Sequence, residues 1–288
     1  MKIELHLLQN FPPSCLNRDD TGQPKDCEFG GYRRARISSQ CLKCSIRKDF
    51  KRANRVQVES LGAHTKRVLA ETAKILLKDN PNEVRELVAA AIRTTFSSQG
   101  KAVFGADSDL TEYLYFVSES GIERFARKLD DPKSAGQELM TSKGIVDLAL
   151  FGRMLANAPD YRVEASCQVA HAISVNRVDM EFDYFTALDD LKPDAEPQAD
   201  MIGTVAYNSS CFYRYSTIDF DQLVSNLLGG RDAAKKATAS EHDDAITLGR
   251  KAIEGFLYAS VSAIPTGKQN TFAAHARPGF VLAVVRES

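Results

Sequence analysis

Apolar and polar positions alternate from the first residues. Ile3, Leu5 and Leu7 share one side of Lys2–Leu7, with Lys2, Glu4 and His6 on the other, which is the period-two pattern of a half-buried strand. Asn17 to Gly31 holds Gly22, Pro24, Gly30, Gly31 and three aspartates, and predicts a loop. A short alternation over Arg33–Ile37 predicts a second strand. Ser38 or Ser39 then supplies the N-cap of a helix through Gln40, Leu42, Lys43, Ile46 and Arg47, with Lys43 and Arg47 one turn apart on one face. From about Leu61 to Lys128 the pattern turns mostly helical. Asn80-Pro81, with Glu83 three residues after Asn80, opens a helix on which Val84, Leu87, Val88, Ala91 and Ile92 keep helical spacing. Ser120–Leu129 predicts another short helix, whereas the aromatic run before it (Tyr113, Tyr115, Phe116) fits a strand or a core helix equally. Val146, Leu148 and Leu150 alternate as in a strand, and Gln168–Val175, Cys211–Ile218 and Phe280–Val285 also read as strands, with a helix from about Ala239 to Ser260. The segment Asn176–Ser210 is too long for an ordinary connection and predicts a functional arm, a β-hairpin extension. Strands and helices alternate without a repeated βαβ unit, so the fold class is α+β, a sheet domain carrying inserted segments.

Composition narrows the class. At 288 residues the chain has room for one or two domains at about 150 residues each. Its 43% hydrophobic and 26% charged residues exclude a disordered or collagen-like chain. No apolar run approaches the ~18 residues that span a bilayer, and MKIELHLLQN lacks the apolar core of a signal peptide, so a soluble, cytoplasmic protein without a membrane partner is expected. Its six cysteines are then expected to be reduced thiols. Cys41 and Cys44 form a C-x-x-C with no second pair at matching spacing, which on a helix reads more simply as two small apolar residues than as half a zinc site. The five histidines show no ligand spacing, and P-loop and G-x-S-x-G motifs are absent, so neither metal nor cofactor is expected.

Net charge changes the picture only when it is located. The total is −1, yet Arg33–Arg55 holds nine bases against one acid, Asp49, while Val178–Asp200 holds eight acids against one base, Lys192. The basic run suits a polyanion, and two opposed runs suit head-to-tail contact between copies. Sequence-tolerant RNA binding accounts for most of these features. Arg and Lys neutralise phosphates, Ser38, Ser39 and Gln40 at a helix start add neutral hydrogen bonds, and Phe182, Tyr184, Phe185 and Leu188 in the arm offer faces that wedge or stack on bases, as does Met154 after Arg153. Two alternatives stand beside it. Asp19, Asp20 and Asp26 together are candidate ligands of a divalent metal for RNA cleavage, although nearby Arg and Lys and their own turn backbone give them simpler partners. The other alternative is a general single-strand RNA-binding filament.

The stretch SCLNRDDTGQPKDCEFGGYRRARISSQCLKCSIRK (Ser14 to Lys48) resembles the N-terminal signature of the CasC family, the backbone subunits of type I-E CRISPR Cascade. ALFGRM, VAHAISVNRVD, DYFTALDDL, FYRY and GKQNTFAAH resemble that family in the same order over nearly the whole chain. The resemblance implies a non-catalytic, hand-shaped subunit. Its palm would be an RRM/ferredoxin-like sheet built from residues 1–50, 151–175 and 211–288, with helical fingers at 51–150 and a thumb at 176–210. Copies would polymerise along one crRNA, together with CasA, CasB, CasD and CasE-type subunits, and present the guide to a target DNA strand. By position, Arg18, Lys25, Ser38, Gln40, Lys43 and Arg47 would hold the crRNA backbone. Met154 would insert at a kink, and Tyr184, Phe185 and Leu188 would cover RNA from a neighbouring subunit. Arg33 and Arg34 in the basic run, Arg153 beside Met154, and Lys268 and Gln269 in GKQNTFAAH complete the candidate contacts. Cys44 stands where the family often has a second base, and family members generally continue past the VVRES at this chain's end.

Overall fold

The computed structural model describes residues 1–76, 81–96, 109–155, 158–188 and 199–287. The opening alternation becomes a long strand, β1 (Lys2–Ser14), with Ile3, Leu5 and Leu7 buried on one face. It lies between β9 (Ala199–Asp219) and β10 (Phe280–Arg286), antiparallel to both. Beyond β9 the antiparallel sheet continues through β7 (Ala172–Ser174) and β3 (Tyr32–Ile37) to β2 (Asp26–Phe29), while β6 (Cys167–Val169) and β8 (Glu181–Leu188) pair with other stretches of β9. The core forms where helices α1 (Ser39–Arg52), α6 (Val146–Phe151), α7 (Phe220–Leu227) and α9 (Ala239–Ser262) cover one face of this sheet. There Leu5, Leu7, Ile46, Phe50, Leu150, Ile218, Leu223 and Phe256 pack together. The fold is thus the mixed α+β class that the strand and helix pattern predicts.

Inserted between α1 and α6 is a second apolar cluster, built by α2 (Val68–Leu76), α3 (Pro81–Phe96), α4 (Glu119–Arg127) and α5 (Pro132–Leu139) around Val68, Val88, Ile92, Phe125 and Leu139. Helix α3 begins at Pro81 as the Asn80-Pro81 pair predicts, although Asn80 itself lies outside the described residues. The region is not wholly helical. β4 (Gly62–Thr65) and β5 (Tyr115–Ser118) form a two-stranded ladder that settles the aromatic run as a strand. The strand expected at Val146–Leu150 is corrected to helix α6. All five of those residues are buried, so their alternation carried no information about which face meets solvent.

The arm is a hairpin of β8 with the first part of β9, in which Phe182 lies opposite Ala206, Tyr184 opposite Thr204 and Phe185 opposite Gly203. Because β9 runs unbroken for 21 residues from the hairpin into the centre of the sheet, the arm is anchored by a continuous backbone. Residues 189–198, which carry much of the acidic run, lie outside the described residues. Among the described residues no helix is long and apolar enough to cross a membrane.

Candidate nucleic-acid interface

Helix α1 owes its start to Ser38, whose hydroxyl accepts from the Cys41 N–H at 3.3 Å while its own N–H donates to Asn17 Oδ1 at 2.8 Å. Ser38 is therefore buried as a cap, and Gln40 opens the exposed surface. Gln40, Cys44, Lys48 and Lys51 follow at intervals of four, four and three, and all four are exposed, so they form one solvent-facing stripe. Clefts flank this ridge on both sides. One, of about 400 Å³, lies between α1 and Val58–Ala63; the other, of about 300 Å³, lies between α1, Leu16 and residues 263–267. Cys44, Lys48 and Arg52 line both. Lys43, Lys48 and Lys51 make no ion pair among the described residues, leaving three positive charges free for an anion.

The arginines of the basic run are largely committed elsewhere. Arg47 donates through Nε to Asp147 Oδ2 at 2.9 Å and through Nη2 to the Gly62 carbonyl at 3.1 Å, and its guanidinium lies 4.5 Å from the centre of the Phe116 ring. Asp147 also accepts from the Gly62 N–H at 2.8 Å. Burial pushes the Asp147 carboxyl up, against the downward pull of Arg47 and the Gly62 N–H. His64 stands edge-on to the same Phe116 ring at 4.2 Å; desolvation and the Arg47 charge hold its imidazole down to about 4, neutral beside the pair. Arg47 is thus a latch between α1 and the β4–β5 ladder, and it lines the first cleft from that position rather than standing as a free charge. Arg52 and Arg55 both reach Asp49, at 2.8 and 3.3 Å, and Ser262 Oγ donates to it at 3.0 Å. Burial alone would raise the Asp49 carboxyl, but these hydrogen bonds outweigh it and hold it low.

Arg153 is held by the fold in the same way. Its guanidinium is buried and donates to the carbonyls of Tyr161, Phe116 and Met140, and desolvation lowers its pKa to about 10. Gly152 makes this turn possible at φ 74°, where an added Cβ would stand 2.6 Å from the Val163 carbonyl oxygen. The next residue, Met154, is 82% exposed. Gln269 also turns inward, its Nε2 donating to the carbonyls of Pro265 and Ala274. Its neighbour Lys268 stays near the ridge because Gly267 presses on residues 15 and 16, with a hypothetical Cβ 2.3 Å from the Leu16 carbonyl oxygen. Lys268 and exposed Arg18 both act electrostatically on the Cys15 thiol, whose pKa burial nonetheless raises. Lys25 is half-buried beside Cys41. Arg33 pairs with Asp26 at 2.6 Å. Arg34 points to the sheet face away from α1, because its neighbours Ala35 and Ile37 pack with Leu42 in the core. The structure therefore gathers Gln40, Lys43, Lys48 and Lys51 with Arg18, Lys25 and Lys268 on the helix side, and separates Arg34 from them.

The expected carboxylate cluster is not brought together as three free groups. Asp19 Oδ1 accepts from the Thr21 N–H and hydroxyl and from the Gln23 N–H, at 2.8–2.9 Å, and Asp26 holds Arg33. Among the described residues no group of three or more potential metal ligands converges, and the six cysteines are free thiols. On the hairpin, Phe182 and Tyr184 are more than 60% exposed, while the Phe185 ring lies over Gly203, where an added Cβ would meet its Cζ at 2.4 Å. Leu188 ends β8, and its side chain lies outside the described residues. Lys48 and Lys51 were not among the expected contacts. Helical spacing from Gln40 places both on its stripe, whereas the i, i+4 pair of Lys43 and Arg47 lies on the flank.

The profile of the CT1975-like protein family matches residues 3–288. The chain is a CT1975-like protein. Its fold is similar to a chain of a solved "CRISPR RNA-guided surveillance complex, pre-nicking", with 28% identity and a TM-score of 0.82 over 100% of this chain and 79% of that one. A chain of a "CRISPR RNA-guided surveillance complex", 24% identical with a TM-score of 0.57, covers 100% of this chain and 70% of its own and shares the fold. Among curated proteins none matches. Both the α1 ridge and the projecting hairpin of this CT1975-like protein lie within the matched span.

Proposed function

We propose that this CT1975-like protein is a crRNA-binding backbone subunit of a CRISPR surveillance complex, of the type I-E kind, working in the cytoplasm. On this reading the sheet is the palm, residues 51–150 the fingers and residues 176–210 the thumb. The observation that carries the reading is the exposed Gln40–Cys44–Lys48–Lys51 stripe, flanked by two clefts and supplied with free lysines. Such a surface neutralises a sugar-phosphate strand without reading bases. Sequence specificity then belongs to the guide, which pairs with target DNA while CasA, CasB, CasD and CasE-type subunits complete the assembly. The type I-E assignment rests on the ordered motifs from SCLNRDD to GKQNTFAAH. We propose further that the chain does not itself cut RNA, a reading supported by Asp19, whose Oδ1 is turned to its own turn backbone, and by Asp26, whose Oδ2 holds Arg33.

The test is co-expression with the operon partners and a defined guide, followed by electron microscopy of the purified particle. A ladder of equal subunits bearing the guide is expected. Incubation with complementary RNA and Mg²⁺ should leave that RNA intact. A monomer free of nucleotide, or evenly spaced cuts lost in Asp20→Ala, would overturn the respective half of the proposal.

A further inference from the structure

The face of the central sheet turned away from α1 carries a second constellation. Arg36, Ile173 and Tyr213 are successive cross-strand neighbours there, and the row continues through Leu8 to Phe280. A groove of about 590 Å³ opens on this face, lined by Phe29, Arg34, His171, Tyr213 and Tyr215 among others. Phe29 is 60% and Tyr213 40% exposed. The rings are held in place: His6 Nδ1 and the Tyr213 hydroxyl share a hydrogen bond of 2.7 Å, and the His6 and Tyr215 ring centres are 5.1 Å apart.

Two positive charges stand at the β3 end of this floor. Arg34 donates to the carbonyls of Phe29 and Ser174, both at 3.0 Å, and its guanidinium lies 5.9 Å from the centre of the Phe29 ring. Arg36 donates to the Asp26 carbonyl at 3.1 Å and meets His171 Nδ1 at 3.2 Å. All of these partners are neutral, and neither arginine makes an ion pair among the described residues. Their orientation is fixed while their charge stays uncompensated. Burial, Arg36 and Lys25 together hold the His171 imidazole below its ordinary value, consistent with a positive field at the groove.

We propose that this open sheet face is a second nucleic-acid site, in which a single-stranded nucleotide stacks its base on the Tyr213–Tyr215 floor and sets its phosphate against Arg34 and Arg36. Exposed aromatic rings on a sheet take bases by stacking, every base has a π-face, and arginine adds both charge and planarity. The groove has the volume of a small-ligand site, enough for a base and its sugar. An apolar polypeptide laid on the same floor would bury two uncompensated guanidinium groups, a costly arrangement. The site lies on the opposite face from the α1 ridge and stands independently of the guide-binding reading.

The experiment uses the full chain freed of nucleic acid, and the same chain assembled on its guide. Each is irradiated with a short oligouridylate carrying 5-iodouridine, and with the matching deoxyuridine oligomer in a second arm, and the cross-links are mapped by mass spectrometry. Cross-links at Phe29, Tyr213 or Tyr215 are expected, persisting in Lys48→Ala plus Lys51→Ala. Tyr213→Ala should weaken their formation about tenfold, whereas Tyr213→Phe should preserve it. Success with RNA alone assigns the site to a ribonucleotide strand, and success in both arms to single strands in general. Cross-links confined to α1, or lost with the lysines, overturn this site while leaving the guide-binding reading intact. Exclusion of the oligomer in the assembled particle overturns it too, since a protein subunit then covers the face. Should Tyr213→Ala fail to fold, the map on the unaltered chain decides.

Discussion

Arg47 and Asp147 form an ion pair whose carboxylate is 2% and whose guanidinium is 19% exposed. Removing one partner of such a buried pair leaves the other uncompensated, at a cost of about 3 kcal/mol. Asp147→Asn is therefore expected to lower stability to denaturant by about that amount, and to loosen the β4–β5 ladder in hydrogen exchange. It also tests what Arg47 does for RNA. If Arg47 is a latch, Asp147→Asn weakens guide binding with no change in its salt dependence. Tighter binding after the substitution would mean that the freed arginine grips phosphate, and would return Arg47 to the interface. Arg153 follows the same logic: three carbonyl acceptors hold its guanidinium inside the fold, so the exposed member of that motif is Met154.

At the scale of elements, α1 and the β8–β9 hairpin divide the work by chemistry. The α1 ridge offers charge, so Lys48→Ala plus Lys51→Ala should weaken binding alike for unrelated RNA sequences. The log-log salt slope should fall by about 0.7 per lost phosphate contact, as read by filter binding over a salt series; an unaltered slope would remove α1 from the interface. The hairpin offers rings, and a two-stranded ribbon exposing Phe182, Tyr184, Met201 and Ile202 leaves much apolar surface to cover. Tyr184→Ala plus Phe185→Ala should leave the salt slope nearly unchanged and open nucleotides to chemical probing at regular intervals, because stacking contributes ~1–3 kcal/mol per base. Intact protection would assign both rings to contacts within the hairpin. The hairpin's acidic Glu181 and Asp183 are poor partners for phosphate but suit a basic surface on another copy.

For the whole molecule, charge is segregated by face and by element rather than by total. A formal charge of −1 coexists with free lysines on α1, uncompensated arginines on the open sheet face and an acidic arm. Two positively charged surfaces back to back, joined by one sheet, allow a guide strand and a second strand to be held without competing. The 21-residue β9 ties the arm to the same sheet through one continuous strand.

Much of the scaffold was legible in the residue order. β1, α1, α3 and α9 announce themselves because each has one face in the core and one in water, or a cap such as Ser38 or the Thr238–Glu241 box that fixes its start, whereas β10, exposed on both faces, is legible only as a short apolar, β-branched run. The β4–β5 ladder and α6 did not, since four-residue strands and a helix buried on all sides carry no usable period. The number and sign of the basic residues were likewise fixed by sequence. Which of them remain free was decided largely by folding: the i,i+3 pair of Asp49 and Arg52 is local to α1, but Asp147 captures Arg47 from far along the chain, Arg55 folds back onto Asp49, and the packing of β3 sends Arg34 and Arg36 to the opposite face. Pairing depends on distances in space, and those exist only once the sheet and helices have packed.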